Sequence, residues 1–273
     1  MARSSSSRDI SFDTDFGSAS IRWDGPRATL FLDGVESSAV DTSDPTYLEF
    51  EYMQHMSAVV STLWGTGERL RALHVGGAAC ALACAWSATH PLSRHVAVEV
   101  DGALAAQVRE HFPIPKAPQV KIQVGDGRAV LGATREAGFD VIVRDAFAAG
   151  ITPDHLRTVE CARLARRALA PSGVYLVNCA HGGEANARQD AAALLEVFPF
   201  VASIQDPKVG RGGRRGNVVV VAAAEGVADA DEIDRALRTL ALPARITRPK
   251  QLARWVAGCP PLRDEQVARL PSH

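Results

Sequence analysis

The spacing of apolar and polar positions changes along the chain. Residues 72–75 form a short apolar run that closes on Gly76 and Gly77. Small and apolar residues continue to about Ala88, and a turn at Pro91 follows. A second apolar run, residues 96–100, carries Glu99 and ends on Asp101. That order predicts strand, glycine turn, helix, strand and acidic strand end. The pattern then repeats. Strands are expected at about 72–75, 95–100, 120–124, 139–144, 173–178 and 217–223, with helices at about 78–89, 102–111, 127–136, 153–169, 184–197 and 229–239. Short connections between alternating elements favour parallel strands covered by helices on both faces. The run VASIQD, around 201–206, is expected to pair antiparallel with the valine-rich strand near the end.

Ahead of this α/β region the period shortens. Residues 20–23, 28–32 and 35–40 read as short strands separated by Asp24–Gly25–Pro26 and Asp33–Gly34. A helix over 46–64 follows, with Ser43 or Asp44 as cap and Pro45 at its first position. The expected organisation is a disordered tail at 1–15, a small β unit at 16–45, a Rossmann-like α/β domain at 46–245 and a C-terminal extension at 246–273 with a short helix at 249–257.

Composition removes several function classes. Of 273 residues, 47% are apolar and 22% charged, as in globular proteins with a substantial core. A net charge of -1 provides no global attraction to nucleic acid or an anionic membrane, and neither partner is expected. No apolar run reaches membrane-spanning length, and MARSSSSRDI has no secretory apolar segment behind it. The five cysteines are odd in number and lack CxxC spacing, which points to reduced thiols and a cytoplasmic protein. No residue spacing has the pattern of a metal site, and no metal is expected.

Candidate chemistry lies at the strand ends, where open α/β sheets bind ligands. In order these ends offer Gly76–Gly77, Glu99 with Asp101, Gly125–Asp126, Asp145 and Asn178. Glu99 has the acceptors for two hydroxyls, Asp126 for an exocyclic amine, and Asp145 for a proton or a cation. Solvent-facing acids at strand ends and a glycine pair serving only as a turn are the structural alternatives; GGAAC is not the GxGxxG fingerprint. The 46–64 segment carries Tyr47, Glu49, Glu51, Tyr52 and His55. It reads either as a surface helix with an aromatic buttress or as a source of a general base, His55, with His181 as a weaker one. Lys208, Arg211, Arg214 and Arg215 lie in a glycine-arginine loop that could contact phosphate or RNA, but without interleaved aromatics it reads as a mobile or interface loop.

The stretches LFLDGVESSAVD, TYLEFEY, LHVGG, VEVD, GDGRAVL and FDVIVRDAF resemble the spermidine synthase family of aminopropyltransferases. More closely, they are similar to the spermidine synthase-like proteins of high-GC bacteria. The resemblance spans about 28–224. It implies a class I methyltransferase-like sheet behind a small N-terminal β domain, usually as a homodimer. It also implies transfer of the aminopropyl group of decarboxylated S-adenosylmethionine, a co-substrate rather than a tightly bound cofactor, to putrescine or a related amine. Gly76 and Gly77 then match the glycine motif beside the nucleoside, Glu99 the ribose acid, and Gly125 and Asp126 the pair beside the adenine. Asp145 matches the first aspartate of DxxD, and Tyr47 the tyrosine of YHE. Departures are Ala148 for the second aspartate, Leu48 for the motif histidine, Ser37 for a glutamine, and Ala78 and Cys80 for glycines. An S-adenosylmethionine-dependent methyltransferase and a non-catalytic nucleoside-binding homologue are the alternatives.

Overall fold

The computed structural model describes residues 9–148, 150–206, 208–209, 214–223, 225 and 230–267. Four antiparallel strands build a small sheet in the order β1 (Ile10–Asp13), β2 (Ser18–Asp24), β3 (Arg27–Leu32) and β4 (Val35–Asp41). β1 falls where a disordered tail was expected. Its Ile10 and Phe12 alternate with polar Ser11 and Asp13 and pair with β2, so the serines before it concealed a half-buried strand. Residues 1–8 of the expected tail lie outside the described residues.

The main sheet has eight strands: β5 (Arg71–Val75), β6 (Arg94–Glu99), β7 (Val120–Val124), β8 (Phe139–Arg144), β9 (Leu169–His181), β10 (Phe200–Gln205), β11 (Gly216–Ala223) and β12 (Arg245–Thr247). Their spatial order is β12-β10-β11-β9-β8-β5-β6-β7. β5 through β9 pair in parallel, whereas β10, β11 and β12 join antiparallel. β12 was not anticipated, and the boundary expected at 245 cuts through it. Three residues are too few to show a period, but Ile246 is buried and the strand completes the edge beside β10.

Successive side chains of the central strands serve opposite layers. Leu73 and Val75 pack into one core with Leu131, Ala165 and Leu194, while Ala72 joins the other with Val59, Trp86 and Leu104. Each fully buried leucine or isoleucine contributes roughly 1.5–3 kcal/mol. The small sheet shares the second core, through Ile21, Leu30 and Val40, with α1 (Glu51–Leu63) and α2 (Ala81–Thr89).

Several helices start later than the sequence suggests. The Asp44 carboxylate accepts from the amide and hydroxyl of Thr46, a local turn that competes with helix, and α1 begins only at Glu51. The expected helix at 153–169 breaks into a single 3-10 turn, Asp154–Leu156, and α5 (Val159–Ala168), because the Thr158 hydroxyl caps the latter at the Cys161 amide.

The chain leaves β5 for β6 and β7, then returns to β8 and β9 on the other side. This reversal opens a crevice beyond the carboxyl ends of β5 and β8. Val75 lies level with Val98 on one side and Arg144 on the other. Gly76, Glu99 and Asp145 therefore emerge together at one sheet edge. No helix among the described residues is long and apolar enough to cross a membrane.

Candidate functional site

Gly76 is required by the backbone around it. Its φ is +98°, and a Cβ there would lie 2.1 Å from the carbonyl oxygen of Asp145. The glycine thus lets the turn after β5 close directly onto the loop after β8, where Asp145 stands. The Asp145 amide donates to the Val75 carbonyl at 2.8 Å and locks the two strand ends together. Ala78 and Cys80 also take positive φ, 37° and 58°. They hold a backbone shape that costs a residue with a Cβ about 1–2 kcal/mol, which is why α2 starts at Ala81 rather than at residue 78.

Glu99 leaves β6 and turns back onto this loop. Its Oε2 accepts from the amides of Gly77 (3.2 Å) and Ala78 (3.0 Å), and its Oε1 from the amide of Asp101 (3.1 Å). A carboxylate has about four acceptor positions, so roughly one, on Oε1, remains for a ligand hydroxyl where two were expected. The carboxylate also fixes the shape of the glycine loop. Asp101 is 5% exposed and caps α3 (Gly102–His111) through Leu104 at 2.7 Å. Its second role is at Oδ1, which accepts from the amide of Asp15 at 3.1 Å. Its geometry is that of a helix cap rather than of a ligand contact.

Gly125 turns the chain at the end of β7 with φ +155°. Asp126 follows and caps α4 (Gly127–Ala133) through Ala129 at 2.8 Å, and its Oδ2 meets His155 Nε2, also at 2.8 Å. Partial burial opposes its charge, but the Ala129 amide and His155 together hold the carboxyl below the usual aspartate range. Between Glu99 and Asp126 the exposed apolar side chains of Val100 and Val124 leave an apolar step, 54% and 58% exposed.

Asp145 closes the group. Its Oδ2 accepts from the Tyr52 hydroxyl and its Oδ1 from the Asn178 amide, each at 2.8 Å. Burial raises this carboxyl above the ordinary aspartate range, against the pull of Asn178, Tyr52 and the Arg144 charge. Burial, followed by the Asp145 charge, pushes the Tyr52 phenol strongly up, so Tyr52 remains a donor. Asn178 is 2% exposed, and its Oδ1 has no partner among the described residues.

Tyr47 is not among the partners of Asp145. It lies in the turn before α1, its hydroxyl donates to Glu49 at 2.7 Å, and Arg27 stacks over its ring at 4.5 Å. The tyrosine on Asp145 is Tyr52, inside α1. The late helix start is the reason: with residues 46–50 outside the helix, Tyr52 stands on the first turn, facing the sheet edge. The other candidate base of this segment, His55, is buried, and its Nδ1 has no partner among the described residues. His181 packs its ring edge against Trp255 at 5.3 Å. Of the glycine-arginine loop, Arg211 lies outside the described residues.

Beneath the site runs a buried ionic layer that the sequence reading did not anticipate. Arg144, 3% exposed, pairs with Asp190 at 2.7 Å, and Arg157 binds the same carboxylate at 3.2 Å. An arginine inside the apolar run VIVRD was its one legible signal, since buried arginine needs a paired acid. Asp190→Ala is expected to destabilise the protein by about 3–5 kcal/mol by leaving Arg144 buried without its counter-charge. Urea unfolding measures this, and an unchanged midpoint would refute it.

No family model matches the chain, and no curated protein matches it. Solved structures do. A probable spermidine synthase from Corynebacterium glutamicum ATCC 13032 superposes with a TM-score of 0.85 at 32% identity, covering 93% of this chain and 96% of that one. Spermidine synthase from Thermotoga maritima gives 0.59 at 17% identity, over 84% of this chain and 77% of that one. Human Methyltransferase-like protein 13 in complex with SAH gives 0.52 at 18%, over 69% of this chain and 93% of that one. The last two share the fold: a Rossmann-like α/β sheet, in the spermidine synthase behind a small N-terminal β domain.

Proposed function

Because the chain belongs to the spermidine synthase family, we propose that it is an aminopropyltransferase, moving the aminopropyl group of decarboxylated S-adenosylmethionine to an amine. One observation carries this reading. Asp145, a partly buried carboxyl with a raised proton affinity, is held by Tyr52 and Asn178 directly beside the Gly76 turn. A base is thereby set next to the place where a nucleoside sulfonium would lie.

In this reading Gly76 and Gly77 admit the nucleoside, Glu99 accepts a ribose hydroxyl, and Gly125 and Asp126 take the adenine edge, with Val100 and Val124 beneath the ring. The amine nitrogen attacks the aminopropyl carbon bonded to sulfur. As the N–C bond forms, the C–S bond breaks and its electron pair goes to the sulfonium, leaving neutral methylthioadenosine. The proton of the new ammonium passes to Asp145. Alignment and a fixed carboxylate supply the catalysis, since the leaving group needs no acid.

Tyr52 takes the role that the resemblance attached to Tyr47, so the motif window reads Tyr52–Met53–Gln54. Asn178 Oδ1 is an acceptor for an N–H of the amine. Ala148 offers no anion for a second ammonium, and Ile151 beside it is 57% exposed. The acceptor we assign is therefore an amine held mainly at its reacting end, in place of a polyamine gripped at both. The reading also takes the chain to group with the forms from high-GC bacteria and to work as a cytoplasmic homodimer.

Incubation with decarboxylated S-adenosylmethionine and a panel of amines, including putrescine and spermidine, is expected to release methylthioadenosine. Release with no amine in the panel would sink the proposal. Methyl transfer from S-adenosylmethionine in the same panel would put a methyltransferase in its place.

A further inference from the structure

The small sheet reaches the nucleoside edge through one hairpin tip. Between β1 and β2, the Asp15 Oδ2 accepts from the amides of Gly102 (2.7 Å) and Ala103 (3.2 Å), and the Asp15 amide donates to Asp101 Oδ1 at 3.1 Å. Asp101 in turn donates its own amide to Glu99 Oε1. The tip is therefore bonded through one intervening residue to the carboxylate that shapes the glycine loop. Its far side is held as well, because the Ser18 amide donates to Asp33 Oδ1 at 2.9 Å. Between these anchors stands Phe16, 71% exposed, a large apolar side chain on a restrained turn. A Cβ on Gly102, the residue Asp15 holds, would touch Val124 at 3.6 Å, so the clamp sits on the rim of the apolar step formed by Val100 and Val124.

We propose that the Asp15–Phe16 tip is a wall of the nucleoside site, with Asp15 a positioning residue that clamps it and Phe16 the ring that covers the purine. This rests on the adenosyl reading given above. An exposed aromatic on a free loop would lose rotamer and backbone freedom on stacking. Here the backbone is already restrained, so less of that freedom remains to be lost. The arrangement also gives the small β unit a part in binding: it carries one wall of a pocket whose other walls belong to the main sheet.

Titration calorimetry with 5′-methylthioadenosine, and with methylthioribose as a purine-free probe, tests this on the full chain. Stacking of a base on an aromatic is worth about 1–3 kcal/mol, so Phe16→Ala is expected to weaken methylthioadenosine binding about tenfold or more. Its Tm should be unchanged, because Phe16 is exposed, and methylthioribose should bind as in the wild type. Asp15→Ala should weaken methylthioadenosine similarly, whereas Asp15→Asn, which keeps the carbonyl acceptor for Gly102 and Ala103, should restore most of it. Equal methylthioadenosine binding by wild type and Phe16→Ala would overturn the wall but leave the adenosyl reading intact. A fall in Tm that matched the loss of affinity would assign Phe16 to folding and overturn it too. Failure of the wild type to bind methylthioadenosine would overturn both.

Discussion

Asp145→Asn is expected to lower turnover by about 10²–10⁴-fold, the usual contribution of a positioned general base, with little change in methylthioadenosine affinity. The split follows from the geometry. Asp145 offers its two carboxylate oxygens to Tyr52 and Asn178, and its backbone, not its side chain, meets the Gly76 turn. Asparagine is isosteric and leaves the turn in place, but it does not take the proton of the new ammonium. The pH profile supplies a second readout. The wild-type rate should fall on the acid side as Asp145 protonates, at a pH above that of an ordinary aspartate, because burial outweighs the groups that stabilise its charge. Tyr52→Phe removes one of those groups, so its acid limb should move to higher pH. An acid limb that stayed in place in Tyr52→Phe, or a saturated rate in Asp145→Asn equal to that of the wild type, would remove Asp145 from the chemistry.

How much of this was legible beforehand differs between fold and site. The strands at 120–124 and 139–144 and the helix at 102–111 emerge where apolar spacing places them. In each, local pattern and tertiary packing agree. The start of α1 was not legible, because Asp44 suits both a helix cap and the turn it makes with Thr46. The choice of Tyr47 came separately, from matching TYLEFEY to the family's tyrosine motif, whereas the fold brings Tyr52 to Asp145. The strand-end acids were legible as a set, since an α/β sheet delivers its ends to one edge. Their partners were not. Tyr52 meets Asp145 across 93 positions, Asp15 meets Asp101 across 86, and His155 meets Asp126 across 29. No period or spacing joins such pairs. Only the sheet order brings them together, and with it the finding that Asp101 caps a helix and that Glu99 shapes a loop as well as facing a ligand.

Acid should unfold this protein steeply, and the cause lies away from the strand-end acids. Behind the first sheet strands, His74 Nε2 and His95 Nδ1 lie 3.2 Å apart beside Trp86, both buried. One ring must donate and the other accept, and burial favours the neutral form of both. Burial drives His74 well below the usual histidine range and pushes His95 down to about 4, and His55 is likewise pushed by burial to about 4. Above about pH 6.5 these rings are neutral in both states and contribute no pH dependence. Below it the unfolded chain binds protons that the native state refuses, so stability falls as pH falls, by about 1.4 kcal/mol per pH unit for each histidine. Three such rings amount to roughly 4 kcal/mol per unit from about pH 6 down to about 4, where His55 and His95 take up protons in the native state, set against a typical total of about 5–15 kcal/mol, and His181, lowered by burial and the Arg188 charge, acts with the same sign. The carboxyls held below their ordinary range, Asp41, Asp126, Asp234 and Asp264, lose their contribution only at lower pH. Asp145, raised in the native state, acts with the opposite sign and offsets a part. Urea unfolding from pH 7.5 to 5 should therefore show a flat upper region and then a slope approaching three protons per unit. His55→Leu, which removes a ring whose Nδ1 has no partner among the described residues, should reduce that slope by about one proton. A slope of one proton or less in the wild type would mean that these histidines do not stay neutral in the native state.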